Sequence, residues 1–231
     1  MQKLSRSQSY MTKNDFVYQS LRDAIMNCEL KPGTRLVIQN IADQFGVSII
    51  PVREALRLLH SEDLVTHTAH IGSIVSPISR DSIAETFTLK EGLEGVTTRI
   101  AVERMTSSHL QKLEELTRQM DMVLKNQTYE QWSALNTEFH DTFTQITEMP
   151  TVIEISKRVL DKWNRIRRYY FDHVLVHRLV SSQAEHHGIM DAVRKGDAAM
   201  AEQLAREHNR HALAGYLEYL STQTESEDTG N

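Results

Sequence analysis

The chain has 231 residues, a formal net charge of −5 and a hydrophobic fraction of 40%, which is enough apolar material for one large globular domain or two modest ones. Its single cysteine, Cys28, excludes an internal disulfide and suits a reducing compartment. No stretch of the sequence approaches the roughly 20 consecutive apolar residues of a membrane-spanning helix. We therefore expect a cytoplasmic protein that does not associate with a membrane.

The charge is distributed unevenly along the chain. Residues 1–80 contain nine basic and seven acidic side chains, whereas residues 81–231 contain 17 basic and 24 acidic ones. The first third is therefore the part less repelled by the phosphates of a nucleic acid. Because its positive charge is small, phosphate neutralisation alone would give only a modest and salt-sensitive affinity.

The amino-terminal residues predict an arm, a helix and a turn. Residues 1–13 are polar and predict a flexible arm. Apolar residues recur at helical spacing from Phe16 to Ile25, which predicts a first amphipathic helix. The sequence Lys31-Pro32-Gly33 then predicts a turn.

The segment from Ile41 to Leu59 predicts two short helices joined by a tight turn. Gly46 suits the end of the first helix, where a residue must tolerate a positive φ. Ser48 can cap the second helix with its hydroxyl, and Pro51 fits the first turn of that helix. The predicted buried stripe of the second helix consists of Val52, Ala55, Leu56 and Leu59.

The second of these helices also has a basic face. Arg53 and Arg57 are four residues apart and project away from the buried stripe. Short β-prone runs at Leu64–His67 and Ser73–Val75 predict a two-stranded wing after the helix. This is the plan of a winged helix-turn-helix, whose second helix enters the major groove of DNA. The alternative is an ordinary helical hairpin with a solvated basic face.

Roughly the first 78 residues resemble the GntR family of bacterial transcription regulators. The resemblance is carried by Leu30–Leu36, Ile41–Ser48, Pro51–Leu56 and Leu64–Val65. It implies that side chains at the start of the second helix and in the wing contact double-stranded DNA. The candidate DNA-binding residues are Arg35, Gln39, Ser48, Ile49, Ile50, Arg53, Arg57, His70 and Gly72.

Two of these positions depart from the family pattern. The family usually has Arg where this chain has Ile49, and often Thr where it has Ile50. The change removes a possible bidentate contact to guanine, whereas isoleucine could touch thymine methyl groups. We therefore do not expect the operator that is usual for the family.

The remainder of the chain predicts an all-α domain. Residues 77–81 predict a linker, because Pro77 disfavours helix at the preceding residue and Ser79 or Asp81 can cap the next helix. The predicted helices cover about 81–105, 108–126, 129–147, 151–171, 179–195 and 197–220. The fold class is thus mainly α, with a winged helix-turn-helix domain over 14–76, a helical bundle over 82–221 and a disordered tail over 222–231.

Histidines carry the distinctive chemistry of the second domain. Asn136 and His140 are four residues apart on one helix face, and His186 and His208 lie on later predicted helices. Three imidazoles with one oxygen donor suit a divalent transition metal such as Zn, Ni or Mn. The alternative is that these are ordinary surface or hydrogen-bonded histidines, since a chain with 11 histidines produces such spacings by chance.

Roughly residues 82–221 resemble the FadR-type effector domain of GntR regulators, which is called FCD. The resemblance is carried by Asn136–His140, Glu185-His186, Ala192, Gly196-Asp197, Ala201 and His208. It implies a metal site in which His140, His186 and His208 are ligands and Asn136 replaces the usual Asp. An Asn carbonyl is neutral and a weaker donor than a carboxylate, so the site would be one negative charge short.

The resemblance also suggests where an effector would bind. Lys90 stands where the family often has an Arg that pairs with a ligand carboxylate, although lysine lacks the planar fork of arginine. The alternative is a solvated lysine that pairs with Glu94, four residues on. From the arginines on the central helix we select Arg165, so that the candidate effector-binding residues are Lys90, Glu94 and Arg165.

The resulting hypothesis is a homodimeric DNA-binding transcription regulator, in the commoner case a repressor, on a near-palindromic operator. A small carboxylate bound in the second domain would change its operator affinity. The alternatives are a metal-dependent, hydrolase-like enzyme, a metal-free ligand-responsive regulator, and a helical interaction module with a degenerate DNA-binding domain. We expect no enzymatic activity, because Glu138, two residues from both Asn136 and His140, points elsewhere on the helix.

Overall fold

The structure is a computed structural model that describes residues 12–228, with only the backbone described at Glu130 and at residues 224–228. It divides into two compact units between Ile78 and Ser79. The described residues are mainly α-helical, as predicted, and their strands form a single two-stranded sheet in the first unit.

The first unit has the winged helix-turn-helix order that the sequence predicts. Its elements are α1 (Lys13–Met26), α2 (Ile38–Phe45), α3 (Ile49–Ser61), β1 (Val65–Thr68) and β2 (Gly72–Val75). The strands pair antiparallel as the wing. Helix α1 packs against α3, and the apolar stripes of the three helices and the first residues of the wing form one hydrophobic core.

The turn between α2 and α3 has the expected backbone. Gly46 ends α2 with a φ of 63°, in the left-handed region that glycine adopts without strain. Ser48 occupies the cap position of α3, but its side chain makes no capping hydrogen bond, which differs from the prediction. The Ser48 side chain is exposed.

The second unit contains six α-helices among the described residues. They are α4 (Arg80–Glu103), α5 (Ser107–Lys125), α6 (Tyr129–Ile146), α7 (Pro150–Tyr169), α8 (Val176–Arg194) and α9 (Ala198–Asp228). Ser79 caps α4 by accepting a hydrogen bond from the backbone N–H of Ser82 at 3.2 Å, as one of the two predicted caps. None of the helices in the described part of the chain is long and apolar enough to cross a bilayer.

Two boundaries of the second unit differ from the sequence prediction. Residues 172–178 were expected to break the helices, but Phe171–Leu175 form a π-helical turn that leads directly into α8. This segment stays wound because Val174 and Leu175 are buried. Residues 222–228 were expected to belong to a disordered tail, but they continue α9, since no glycine or proline interrupts the helix there. The rest of the expected tail, residues 229–231, and residues 1–11 of the expected arm lie outside the described residues.

The core of the second unit positions α6, α8 and α9 around a common centre. Trp132 and Phe139, seven residues apart on α6, are both almost fully buried. They belong to a hydrophobic cluster that also includes Leu179 and Ile189 of α8 and Ala201 of α9. Because these apolar side chains fix how the helices face one another, they also fix the positions of the polar side chains between them.

Candidate metal and DNA sites

Three histidines from three helices meet inside the second unit. His140 of α6, His186 of α8 and His208 of α9 are all buried, and His186 has no exposed surface. Each offers one ring nitrogen such that the three nitrogens lie within 4.8 Å of one another. The structure therefore brings together the three histidines that the sequence singled out.

Each histidine is held by an oxygen on its Nδ1 side. The Nδ1 atoms lie 3.2 Å from Glu94 Oε2 for His140, 3.3 Å from Gln183 Oε1 for His186 and 2.7 Å from Glu185 Oε2 for His208. In a neutral imidazole whose Nδ1–H donates to such an oxygen, Nε2 carries the free lone pair. Oxygens in this position orient metal-binding histidines and increase their basicity.

The orientation of the Gln183 amide is itself fixed by other contacts. Its nitrogen donates to the carbonyl of Thr117 at 3.1 Å and to Asp121 Oδ1 at 2.7 Å. The amide oxygen is therefore the atom that faces His186. Sequence reasoning missed Gln183 as a partner of the site and used Glu185 only as part of the motif that carries the family resemblance.

Three buried polar atoms of the four candidate ligands lack a hydrogen-bond partner among the described residues: Asn136 Oδ1, His140 Nε2 and His186 Nε2. A buried acceptor without a partner is unfavourable, and native proteins usually satisfy such groups with protein atoms, water or an ion. One amide oxygen and imidazole nitrogens are the donor types that divalent transition metals accept. The residues present thus fit the metal that the fold family implies.

Burial keeps the histidines in the state that a metal requires. Burial lowers the pKa of His140 and of His186 well below the usual value of 6.5, and nearby positive charge, including that of Lys90, acts in the same direction. Burial also lowers the pKa of His208, although the hydrogen bond to Glu185 opposes this. The three imidazoles are therefore neutral at pH 7, and neutral imidazole is the form that binds metals.

Lys90 is buried beside the histidines and is fully paired. Its Nζ lies 2.7 Å from Glu94 Oε1 and donates to Asn209 Oδ1 at 2.9 Å. Burial lowers the pKa of Lys90, and the Glu94 carboxylate partly restores it. The expected pairing with Glu94 is present, but Lys90 is buried and not solvated, and its side chain lines a small cavity. The second carboxylate oxygen of Glu94 is the one that contacts His140.

This cavity, of about 20 Å³, opens next to the histidine cluster. Its lining residues are Lys90, Leu93, Glu94, His140, Asp141, Thr144, Ser156, Val159 and Leu160. That volume suits about one water molecule, whereas pockets for organic ligands are typically about 300–1,000 Å³. An organic effector would therefore require side chains around the cavity to move.

Two arginines of α7 bear on this site. Arg165, selected from the sequence, is buried, and neither Arg165 nor Arg167 is among the residues that line the cavity. Arg167 donates from its guanidinium to the carbonyl of Ser133 and to Thr137 Oγ1, the latter at 2.9 Å. Its charge acts on both Lys90 and His140, and burial lowers the pKa of Arg167 to about 10. The sequence offered three nearby arginines without the side-chain directions needed to choose.

The candidate DNA-binding residues lie on the surface of the first unit. All nine are exposed except Gly72, which is half-buried in the wing. The segment that contains Arg35 pairs with β2 of the wing, where the N–H of Leu36 donates to the carbonyl of Ser73 at 2.8 Å. Gln39 donates to Asp43 at 2.9 Å and Arg57 donates to Glu54 at 2.8 Å, which orders both side chains.

A groove of about 300 Å³ lies between α3 and the wing. It is lined by Arg53 and Arg57 from α3 and by His67 from the wing, with His60 at the end of α3. His60 donates from Nδ1–H to the carbonyl of Val65 at 2.8 Å. Sequence reasoning did not select His60 or His67, because their proximity to the two arginines depends on how the wing folds back.

Both units of the chain match families of known proteins. The FCD domain family matches residues 85–211, and the family described as bacterial regulatory proteins, gntR family, matches residues 13–75. The chain is 27% identical over 195 residues to the HTH-type transcriptional repressor RspR of Escherichia coli (strain K12), covering 84% of this chain and 85% of that protein. It is 30% identical over 201 residues to an uncharacterised HTH-type regulator of Streptomyces ambofaciens, and the match covers 84% of this chain and 80% of that protein.

The fold also matches that of solved structures. Escherichia coli McbR/YncC superposes with a TM-score of 0.70 at 24% identity, covering 91% of this chain and 100% of that one. The matched families and relatives are transcription regulators and not enzymes, which decides against the metalloenzyme alternative. The chain belongs to the GntR family of helix-turn-helix transcription regulators and carries an FCD effector domain.

Proposed function

We propose that this regulator represses transcription from a near-palindromic operator as a cytoplasmic homodimer, and that a small carboxylate bound in the FCD domain changes its operator affinity. The observation that carries the proposal is the buried three-histidine cluster beside a cavity in a chain whose other unit presents exposed arginines on a helix-turn-helix. Repression is the output that the name of the relative RspR states for that protein.

In this proposal His140, His186 and His208 hold Zn, Ni or Mn, with the carbonyl oxygen of Asn136 as a fourth donor. A bound ion would supply positive charge to which an effector carboxylate can coordinate. Asn136 contributes no negative charge, so the site would hold the cation less tightly than one with Asp and would attract an anion more strongly. The Nδ1 atom of each imidazole is oriented by one neighbouring oxygen, from Glu94, Gln183 or Glu185.

The same contacts argue against a metal-free pocket in which the histidines donate to the effector directly. If Nδ1–H of each ring donates to Glu94, Gln183 or Glu185, then Nε2 is an acceptor and repels a carboxylate. Donation from Nε2 would require a second proton on the ring. Burial opposes that proton by lowering the pKa of each imidazole.

We propose that the ammonium of Lys90 pairs with the effector carboxylate. The effector would then displace Glu94 from Lys90. The ammonium lines the cavity, and the cavity must enlarge to admit an organic acid. Arg167 adds positive charge nearby, and a role for Arg165 stays a prediction. An effector changes operator affinity only if it binds one arrangement of the dimer more tightly than the other.

The test starts from duplexes selected by the full chain out of random-sequence DNA. Fluorescence anisotropy then measures affinity for the selected duplex with Zn²⁺ or with EDTA, in the presence of citrate, malate, succinate or acetate. We expect the protein to bind the metal ion stoichiometrically. We also expect at least one carboxylate to change operator affinity by about 5–150-fold, which is the typical range of such coupling. Absence of bound metal after incubation with excess Zn²⁺, Ni²⁺ and Mn²⁺ would contradict the metal site. Failure to select any DNA sequence would contradict the proposal that the chain binds a specific operator.

A further inference from the structure

The exposed face of α3 begins with two apolar side chains that the fold of the first unit does not use. Ile50 is 68% exposed and Ile49 is 38% exposed, whereas the next residue, Pro51, is buried. The core of this unit takes its apolar contacts from the opposite stripe of the helix. Single exposed isoleucines are common, but two adjacent ones in the first turn of a helix-turn-helix recognition helix occupy the position that meets base edges.

These isoleucines are continuous with the positive charge of the same helix. Ile50 precedes Arg53 by three residues and Arg57 by seven, and Ile49 precedes Arg53 by four, so the four side chains follow one strip of the helix surface. Arg53 and Arg57 are exposed and line the groove toward the wing. An apolar protein partner would have to desolvate these guanidinium groups, whereas a DNA phosphate backbone pairs with them.

The apolar part of the occupant follows from the chemistry of the major groove. Among the four bases, thymine alone presents a methyl group there, beside its O4 acceptor, whereas guanine, cytosine and adenine present only hydrogen-bonding atoms as specific groups. Isoleucine cannot satisfy hydrogen-bonding atoms, and covering them without a partner is unfavourable. An isoleucine packed on the thymine methyl gains an apolar contact that the other three bases do not offer.

We propose that Ile49 and Ile50 read thymine methyl groups, so that each operator half-site carries thymine at the one or two positions that face the first turn of α3. This inference rests on the proposed operator binding and adds the base preference and the residues that set it.

The test removes the methyl group alone. In the duplex selected by the wild-type chain, each thymine is replaced singly by deoxyuridine, which retains base pairing and lacks only the C5 methyl, and affinity is measured by fluorescence anisotropy. For the wild-type chain we expect a loss of about fourfold at one or two positions in each half-site, the size expected for burying one methyl-sized group. Deoxyuridine at the other positions should leave affinity unchanged.

Variants test whether the sensitivity to loss of the thymine methyl groups depends on the two isoleucines. Ile50→Ala should bind the unmodified duplex more weakly and should lose the sensitivity to deoxyuridine at its position, and Ile49→Ala should behave in the same way at its own. Leu58→Ala is the matched control, because Leu58 is an aliphatic residue of α3 that is 44% exposed but lies beyond the first turn. It should keep the wild-type affinity and the wild-type deoxyuridine profile. Since all three side chains are exposed, thermal melts of the variants should match that of the wild type.

Two results would overturn the inference. One is a wild-type chain that binds a selected sequence but tolerates deoxyuridine at every thymine. The other is an Ile49→Ala/Ile50→Ala double variant that retains the wild-type deoxyuridine profile. Either result leaves the proposed operator binding intact, whereas a chain that selects no duplex would overturn that function and the inference together.

Discussion

The two candidate sites of this regulator differ in the solvent exposure of their side chains. On α3 the candidate residues project into solvent and contribute nothing to the core, so they are free to meet DNA. In the FCD domain the candidate residues are buried, and each imidazole is held by a named oxygen. A surface that reads DNA can change residue by residue, whereas a buried polar cluster must keep every member satisfied.

This difference predicts how substitutions should act. A change at an exposed candidate DNA-binding residue of α3 should alter affinity for DNA and leave the free energy of unfolding unchanged. A change in the histidine cluster should alter both metal binding and stability, because it leaves a cavity or an unpaired buried charge.

The largest effect should come from His186→Ala. This substitution removes a fully buried ring from the centre of the cluster, and we expect the metal affinity to fall by more than about 100-fold, since even the groups that only orient such ligands contribute about 10–100-fold. Elemental analysis of the purified protein and calorimetric titration with Zn²⁺ measure the loss.

His177→Ala is the matched control for this experiment, because His177 lies on the same helix and is exposed. It should retain the metal of the wild type. A thermal melt of both variants separates loss of a ligand from loss of folding. Wild-type metal content in folded His186→Ala would refute the site.

On the exposed surface, Arg53→Ala should weaken operator binding by about 5–150-fold, the range that corresponds to the loss of one good arginine contact to DNA. Stability should not change, because the side chain is exposed. Anisotropy titrations at two salt concentrations distinguish the kind of contact, since a lost phosphate contact lowers the salt dependence by about one ion and a lost base contact relaxes sequence preference.

Lys13→Ala, an exposed change at the start of α1, serves as the control for this experiment and should bind like the wild type. If Arg53→Ala retained full affinity, α3 would not be the helix that reads DNA. The exposed residues of α3 would then not form the DNA-binding surface.

Glu94→Gln tests whether the two carboxylate oxygens serve two neighbours at once. We expect metal affinity to fall about 10–100-fold, because His140 loses its anionic partner. We also expect a loss of about 3–5 kcal/mol in the free energy of unfolding, because Lys90 is left as an unpaired buried charge. Chemical denaturation of the metal-free protein measures the second effect.

The Lys90→Met/Glu94→Gln double variant should recover part of that stability, since it leaves no buried charge unpaired. Glu91→Gln is the control, because Glu91 pairs with the exposed Arg210 at 3.0 Å. Equal stability of Glu94→Gln and the wild type would show that Lys90 does not depend on this partner.

The smallest effect should appear in the pH dependence of the metal-free protein. Below the usual pKa of about 6.5 a histidine in the unfolded chain takes up a proton, while His140 and His186, whose pKa values are well below 6.5 in the fold, do not. The unfolded state then binds more protons, so the free energy of unfolding should fall as the pH decreases below about 6.5. The slope should reach at most about 1.4 kcal/mol per pH unit for each histidine.

Denaturant titrations between pH 7 and pH 5 measure that slope. His186→Gln should reduce it and His177→Ala should not. A slope that is the same in all three proteins would mean that His186 takes up its proton in the folded state as readily as in the unfolded chain.

The winged helix-turn-helix was predictable because its determinants are local. Gly46 ends α2 where the backbone needs a positive φ, and the apolar stripe of α3 follows from spacing along one helix. The wing strands fall within one residue of the predicted runs. Local patterns were insufficient at Phe171–Leu175, where buried side chains keep the chain helical although the sequence suggested a break.

By itself the sequence determined the helices, the family and the identity of the three histidines, because helical periodicity and the family motifs are properties of neighbouring residues. Only the tertiary structure decided that Glu94, Gln183 and Glu185 hold those histidines, that the charge of Arg167 acts on His140, and that the cavity is small. His140 and His208 come from different helices, and the direction of a side chain between packed helices depends on long-range packing, which no spacing along the chain encodes.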